Sequence, residues 1–101
     1  MSYALVVEPS AARDVADAYT YYAEHGRGDG FMAAVDHAFA QIADLPLMYP
    51  VAYGEVRRAL LRRFAHSVFF IVEAELAIVL AVHHQRRGPE SRPPTRMAAT
   101  S

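Results

Sequence analysis

The stretch "SVFFIVEAELAIVLAV", residues 67–82, sets the fold. Two runs rich in Val, Ile, Leu and Phe, 67–72 and 76–82, flank the triplet Glu73-Ala74-Glu75. Both runs are strand-length, and the triplet leaves room only for a hairpin connection. Neither run alternates with polar residues. That is the pattern of central strands buried on both faces. A third strand precedes them in "VRRALL" (56–61). Such a sheet needs cover, and the first half of the chain supplies it.

"YALVVEP" (3–9) reads as another strand, stopped by Pro9. Ser10 occupies the expected N-cap of a helix. Behind it Val15, Ala18, Tyr19 and Tyr22 recur at helical spacing, with Arg13, Asp14, Asp17 and Glu24 on the wet side. The glycines of "HGRGDG" (25–30) close that helix. From Phe31 a second helix places Phe31, Val35, Ala38, Phe39, Ile42 and Leu45 on one face, and Pro46 ends it. The short turn between the two implies an antiparallel helical hairpin. "PLMYPVAYGE" (46–55) reads as a loop. The predicted class is α+β: an N-terminal strand, the helical hairpin, then a three-stranded antiparallel meander, with the helices packed on one face. Phe39 and Ile42 are expected to pack on Phe69 or Phe70 and on Val79. Residues 1–90 read as one domain, and 91–101, aperiodic and rich in Pro, Ser and Thr, as a mobile tail.

Composition bounds the function. With 101 residues, 53% of them hydrophobic and 21% charged, the chain can bury one core and is not disordered by composition. It has no cysteine, which excludes a disulfide framework and thiolate metal sites. The opening residues lack the pattern of a signal peptide, and no apolar run approaches the roughly 20 residues of a membrane helix. A cytoplasmic location without membrane contact is the expectation. The net charge of −1 conceals a polarity: residues 1–50 carry −5 and residues 51–101 carry +4. All ten basic residues are arginine. The basic second half points to an acidic or phosphate-bearing partner.

The candidate site lies there. "VRRALLRRF" (56–64) carries Arg57, Arg58, Arg62 and Arg63, and the last strand ends in "VHHQRRGP" (82–89) with His83, His84, Arg86 and Arg87. Side chains alternate along a strand, so each adjacent pair sends one member to each face. On the face free of helices, one arginine of each pair and one histidine can form an anion-binding rim, because the guanidinium fork binds phosphate or carboxylate bidentately. A solvated strand edge protected by charge is the competing explanation of the arginines. A hydrogen-bonded core or rim role competes for the inward histidine. His25, His37 and His66 are scattered, so no metal ligand set is expected. The carboxylates form no general acid/base pair, and only Glu55 adjoins the arginines. No cofactor is expected.

Several features together resemble a known family. These are Tyr3, Pro9, Ala11 and Asp14 at the start, "AYTYYAE" (18–24), and "F-x-x-x-V-x-x-A-F-x-x-I-x-x-L-P" (31–46). "Y-P" (49–50), "VRRALLRRF" and the terminal "VHHQRRGP" complete the set. The whole resembles the RelE/ParE toxins of bacterial type II toxin–antitoxin modules. The resemblance implies a plasmid-stabilisation toxin neutralised by a cognate antitoxin, whose acidic and apolar C-terminal segment it binds in a hetero-oligomer. Its partner-binding candidates are Arg57, Arg58, Arg62, Arg63, His83 and Arg86. In the ParE-like branch, growth is inhibited by binding a large target such as DNA gyrase. In the RelE-like branch the chain is a ribosome-dependent mRNA endoribonuclease, with Arg57, Arg63, His84 and Arg87 as the catalytic candidates. A non-toxic domain that keeps only antitoxin binding is the third option. In "FAHSVFF" (64–70), Ser67 and Phe70 stand where ribonuclease relatives often carry arginine and tyrosine. Glu90, Ser91 and Arg92 follow where many have an aromatic residue, and lysine is absent. These departures favour the ParE-like branch.

Overall fold

The computed structural model describes residues 2–85; the expected tail and the candidates Arg86 and Arg87 lie outside the described residues. In chain order the elements are β1 (Ala4–Val7), α1 (Pro9–Glu24), α2 (Gly28–Asp44), a 3-10 turn (Pro46–Met48), β2 (Val51–Tyr53), β3 (Val56–Leu60), β4 (His66–Glu73) and β5 (Leu76–His84). The five strands form one sheet in the order β1-β5-β4-β3-β2. β1 runs parallel to β5 and every other pair is antiparallel. The α+β class and the order strand, helical hairpin, meander are as the sequence predicts.

The β4–β5 hairpin closes tightly, with Glu73 paired to Leu76 and Ala74 in the left-handed region at φ 52. Both central strands are buried on both faces. Phe31, Val35 and Ile42 of α2 share one cluster with Val68, Phe70 and Val79 of the sheet. Val56, Ile71, Ile78 and Leu80 form a second cluster on the opposite face, to which neither α1 nor α2 contributes a residue. Phe31 is fully buried and stacks on Tyr22 at 5.0 Å between ring centroids. Truncating such a residue to Ala typically costs about 3–5 kcal/mol.

Five expectations need correction. Ser10 lies inside α1; Glu8 is the N-cap, and its side chain makes no capping bond. The Ser10 hydroxyl instead donates to the Leu80 carbonyl at 3.0 Å. α2 starts at Gly28 rather than Phe31, because a glycine there lets the helix start against Ala23, 3.1 Å from where a Cβ would sit. Leu45, expected in the core, is the C-cap of α2 and 52% exposed. The loop after α2 contains β2, three exposed residues whose pairing with β3 is irregular. A strand that short carries no periodicity to read. Phe39 is only half-buried, and of the two sheet phenylalanines Phe70 faces the helices while Phe69 faces away.

One irregularity sets where the candidate residues point. Phe69 pairs with Ala81 and Phe70 with Val79, so Leu80 is an extra residue, a β-bulge in β5. Simple alternation from Val79 would put His83 on the helix face. The extra residue reverses this. Val82 packs with the helices, His83 turns to the helix-free face, and His84 lies against His66.

Candidate functional site

The helix-free face carries a row of aromatic and basic side chains. Tyr53 of β2 lies 6.4 Å from Phe69 of β4, ring to ring, and Phe69 lies 5.7 Å from His83 of β5. Arg58 of β3 sits opposite Phe69 in the strand register and is exposed. Exposed Leu60 is two residues further along the same strand. Phe69 packs against the second apolar cluster, which lies on the same face. Burial raises the Tyr53 phenol above its ordinary pKa, and the same holds for Tyr49. His83 Nε2 is 3.8 Å from the carboxylate of Asp14, which also accepts the Val82 amide at 3.0 Å. Asp14 lies on the wet side of α1 by its spacing, yet it reaches the sheet edge.

The other candidates lie elsewhere. Arg57 sits opposite Phe70, on the helix side, and its Nη1 donates to the Tyr49 carbonyl at 2.6 Å. That carbonyl takes part of its hydrogen-bonding capacity and holds it half-buried. Arg62 and Arg63 are not on a strand. They occupy the turn between β3 and β4, with Arg63 at φ 70, a conformation that costs a non-glycine residue about 1–2 kcal/mol. His84 is half-buried against the ring of His66 at 5.0 Å, and His66 is itself buried beside Tyr22 and Phe31. Arg57, Arg63 and His84 thus have different immediate surroundings, the Tyr49 carbonyl, the β3–β4 turn and the His66 ring, and of the arginine pair on β3 it is Arg58 that lies on the face of Phe69.

A cleft of about 530 Å³ opens between the start of α2 and the β3–β4 turn. Arg27, Arg62, Arg63, Gly30, His37 and Phe64 are among its lining residues. The Arg27 guanidinium lies 4.5 Å from the Phe64 ring centroid and 5.6 Å from that of Tyr22. Its Nη2 donates to the Arg63 carbonyl at 3.3 Å. Sequence reasoning passed over Arg27 as part of a glycine-rich turn. Only its distance in the chain from the other arginines hid it. Among the described residues no group of three or more His, Asp or Glu side chains could hold a metal ion, and no helix is long and apolar enough to cross a membrane.

Residues 5–89 match the model of a family described as the ParE toxin of the type II toxin–antitoxin system, parDE. The chain belongs to that family. Solved structures that share its fold include two from toxin–antitoxin systems. A chain of the chromosomal ParDE toxin–antitoxin system from P. aeruginosa is 21% identical with a TM-score of 0.64, over 82% of this chain and 96% of that one. A chain of the RelBE2 toxin–antitoxin complex from Mycobacterium tuberculosis is 18% identical with a TM-score of 0.59, over 83% and 99%. No curated protein matches the chain. Family membership and fold agree with the resemblance carried by the motifs.

Proposed function

We infer that the chain is a binding toxin of the ParE-like branch, held inactive by the C-terminal segment of a cognate antitoxin, with DNA gyrase as its target. The observation that carries this reading is the row Tyr53, Arg58, Phe69 and His83 beside an apolar cluster on the helix-free face. Tyrosine and arginine beside buried apolar surface are the residue types that anchor protein interfaces. An antitoxin segment, extended or helical, fits this row by placing apolar side chains on Phe69 and a carboxylate on Arg58. The ribonuclease alternative requires a transition state held by converging groups. The different surroundings of Arg57, Arg63 and His84 support the binding reading over it.

Inducing the chain alone in cells tests the reading, with growth, transcript integrity and the DNA-damage response scored together. The expected result is growth arrest, a damage response and intact transcripts, with inhibition of supercoiling by purified gyrase. Transcript cleavage on the ribosome would overturn it. So would unimpaired growth.

A further inference from the structure

Arg27, Arg62 and Arg63 line a cleft that the antitoxin row does not use. We propose that this cleft is a phosphate-binding site, taking the phosphate of a nucleotide or of a nucleic-acid backbone. It stands independently of the toxin reading and lies on a different part of the surface.

The charge comes first. Three arginines line the cleft and no Asp or Glu does. Asp29, in the first turn of α2, lines a separate groove with Ala12, Val15 and Tyr19. Among the described residues none of the three arginines makes an ion pair. Without such a partner their mutual repulsion favours a bound anion.

Preorganisation comes second. Arg27 is held over Phe64 and Tyr22 and tied to the Arg63 carbonyl, so little side-chain freedom is lost when it binds. The same bond links the α1–α2 turn to the β3–β4 turn, which fixes the spacing of the cleft's two walls. The amides that open α2 have no side-chain cap, and Gly30 brings backbone to the cleft without a Cβ. Uncapped amides at a helix start attract anions.

Phosphate fits this donor set better than carboxylate does. A carboxylate presents two coplanar oxygens, which one guanidinium fork satisfies. A tetrahedral phosphate has oxygens for donors on both walls at once. The volume lies within the range of small-ligand sites, roughly 300–1,000 Å³.

The test uses the full chain with three probes: a labelled single strand of about 12 nucleotides, inorganic pyrophosphate, and polyglutamate as a carboxylate polyanion. The variants are Arg62→Gln, Arg27→Gln/Arg62→Gln, and Arg13→Gln, an exposed arginine of α1 outside the cleft. Thermal melts identify any variant that has lost its fold. Should the double variant fail to fold, Arg62→Gln alone decides.

The expected result is a loss of tenfold or more in oligonucleotide affinity for the double variant, about 1.4 kcal/mol or above, with Arg13→Gln within roughly twofold of the parent. The slope of log K against log salt should fall by about 1.4, near 0.7 for each lost contact to a single strand. Pyrophosphate that competes with the strand identifies a site for free phosphate groups. A strand that binds without competition from pyrophosphate identifies a backbone site. Three outcomes overturn the proposal: no binding of either phosphate probe, equal competition by polyglutamate, or an equal loss in Arg13→Gln.

Discussion

The Val82 amide donates to the carboxylate of Asp14 at 3.0 Å, joining the last strand to the first helix across 68 residues of sequence. β1 pairs with β5 only as far as Val79, so beyond that point no strand of the described residues lies beside the outer edge of β5. The start of α1 closes that edge. Glu8 donates its amide to the Val79 carbonyl, Ser10 its hydroxyl to the Leu80 carbonyl, and Asp14 receives the Val82 amide. An unpaired strand edge invites association with other chains. Asp14 and Ser10 therefore do structural work that their place on a polar helix face conceals.

Replacing Asp14 with Ala leaves the Val82 amide without its acceptor. An unsatisfied amide of this kind costs about 1–3 kcal/mol. The low end applies here because the Asp14 side chain is 25% exposed and water can reach it. Chemical denaturation of Asp14→Ala and Asp14→Asn checks this, with Asn expected between the parent and Ala. A midpoint for Asp14→Ala equal to the parent's would show that the edge needs no such closure.

The N-terminus of α1 leaves room for improvement. Glu8 occupies the N-cap with extended backbone, yet among the described residues it makes no capping bond and its Oε1 is buried without a partner. Serine at this position would accept from the amides of the first turn and remove the stranded carboxylate oxygen. A good cap in place of a poor one contributes typically about 1 kcal/mol. Glu8→Ser is expected to raise the melting temperature by several degrees. A lower melting temperature would mean that Glu8 has a favourable partner.

Two glycines at the start of α2 separate packing from helix propensity. Glycine to alanine in a helix is worth about 0.5–1 kcal/mol in propensity alone. At Gly28 a new Cβ would lie 3.0 Å from Tyr19 Cε1 and 3.1 Å from the Cα of Ala23, which is backbone and cannot turn aside. At Gly30 it meets only Phe64 Cζ, at an ordinary 3.6 Å. Gly28→Ala is thus expected to destabilise and Gly30→Ala to stabilise. Equal shifts of one sign in a pair of thermal melts would remove the close approach of α1 and α2 as the reason for Gly28.

What was legible in the sequence follows the range of the interactions. Hydrophobic period is local, so "SVFFIVEAELAIVLAV" and the faces of the two helices could be read directly. The bulge at Leu80 could not, because residues 70 or so positions earlier hold the β5 edge. With it went the facing of His83 and His84. Strand alternation, applied to Arg62 and Arg63 just past the predicted strand 56–61, fails because the chain turns after Leu60 and carries them to the α2 side. Arg27 joins them only once the helices pack. The family was legible because its motifs are short and ordered, whereas a shared site depends on all of these long-range facts.

Arg57 and Arg58 are adjacent in sequence and are expected to behave oppositely in two assays. Arg58 is exposed on the helix-free face opposite Phe69, so Arg58→Ala should leave stability within about 0.5 kcal/mol of the parent. On the antitoxin reading it is an interface anchor, and losing one costs about 2 kcal/mol or more, roughly 30-fold in Kd. The loss should appear mainly in the off-rate. Arg57 is half-buried on the helix side and donates to the Tyr49 carbonyl. Arg57→Ala should therefore lower stability by about 1 kcal/mol or more and leave antitoxin affinity near that of the parent. Titration of a cognate antitoxin segment beside a denaturation series separates the two variants. If Arg57→Ala weakens binding while Arg58→Ala does not, the antitoxin approaches from the helix side, and the row on the opposite face is not its site.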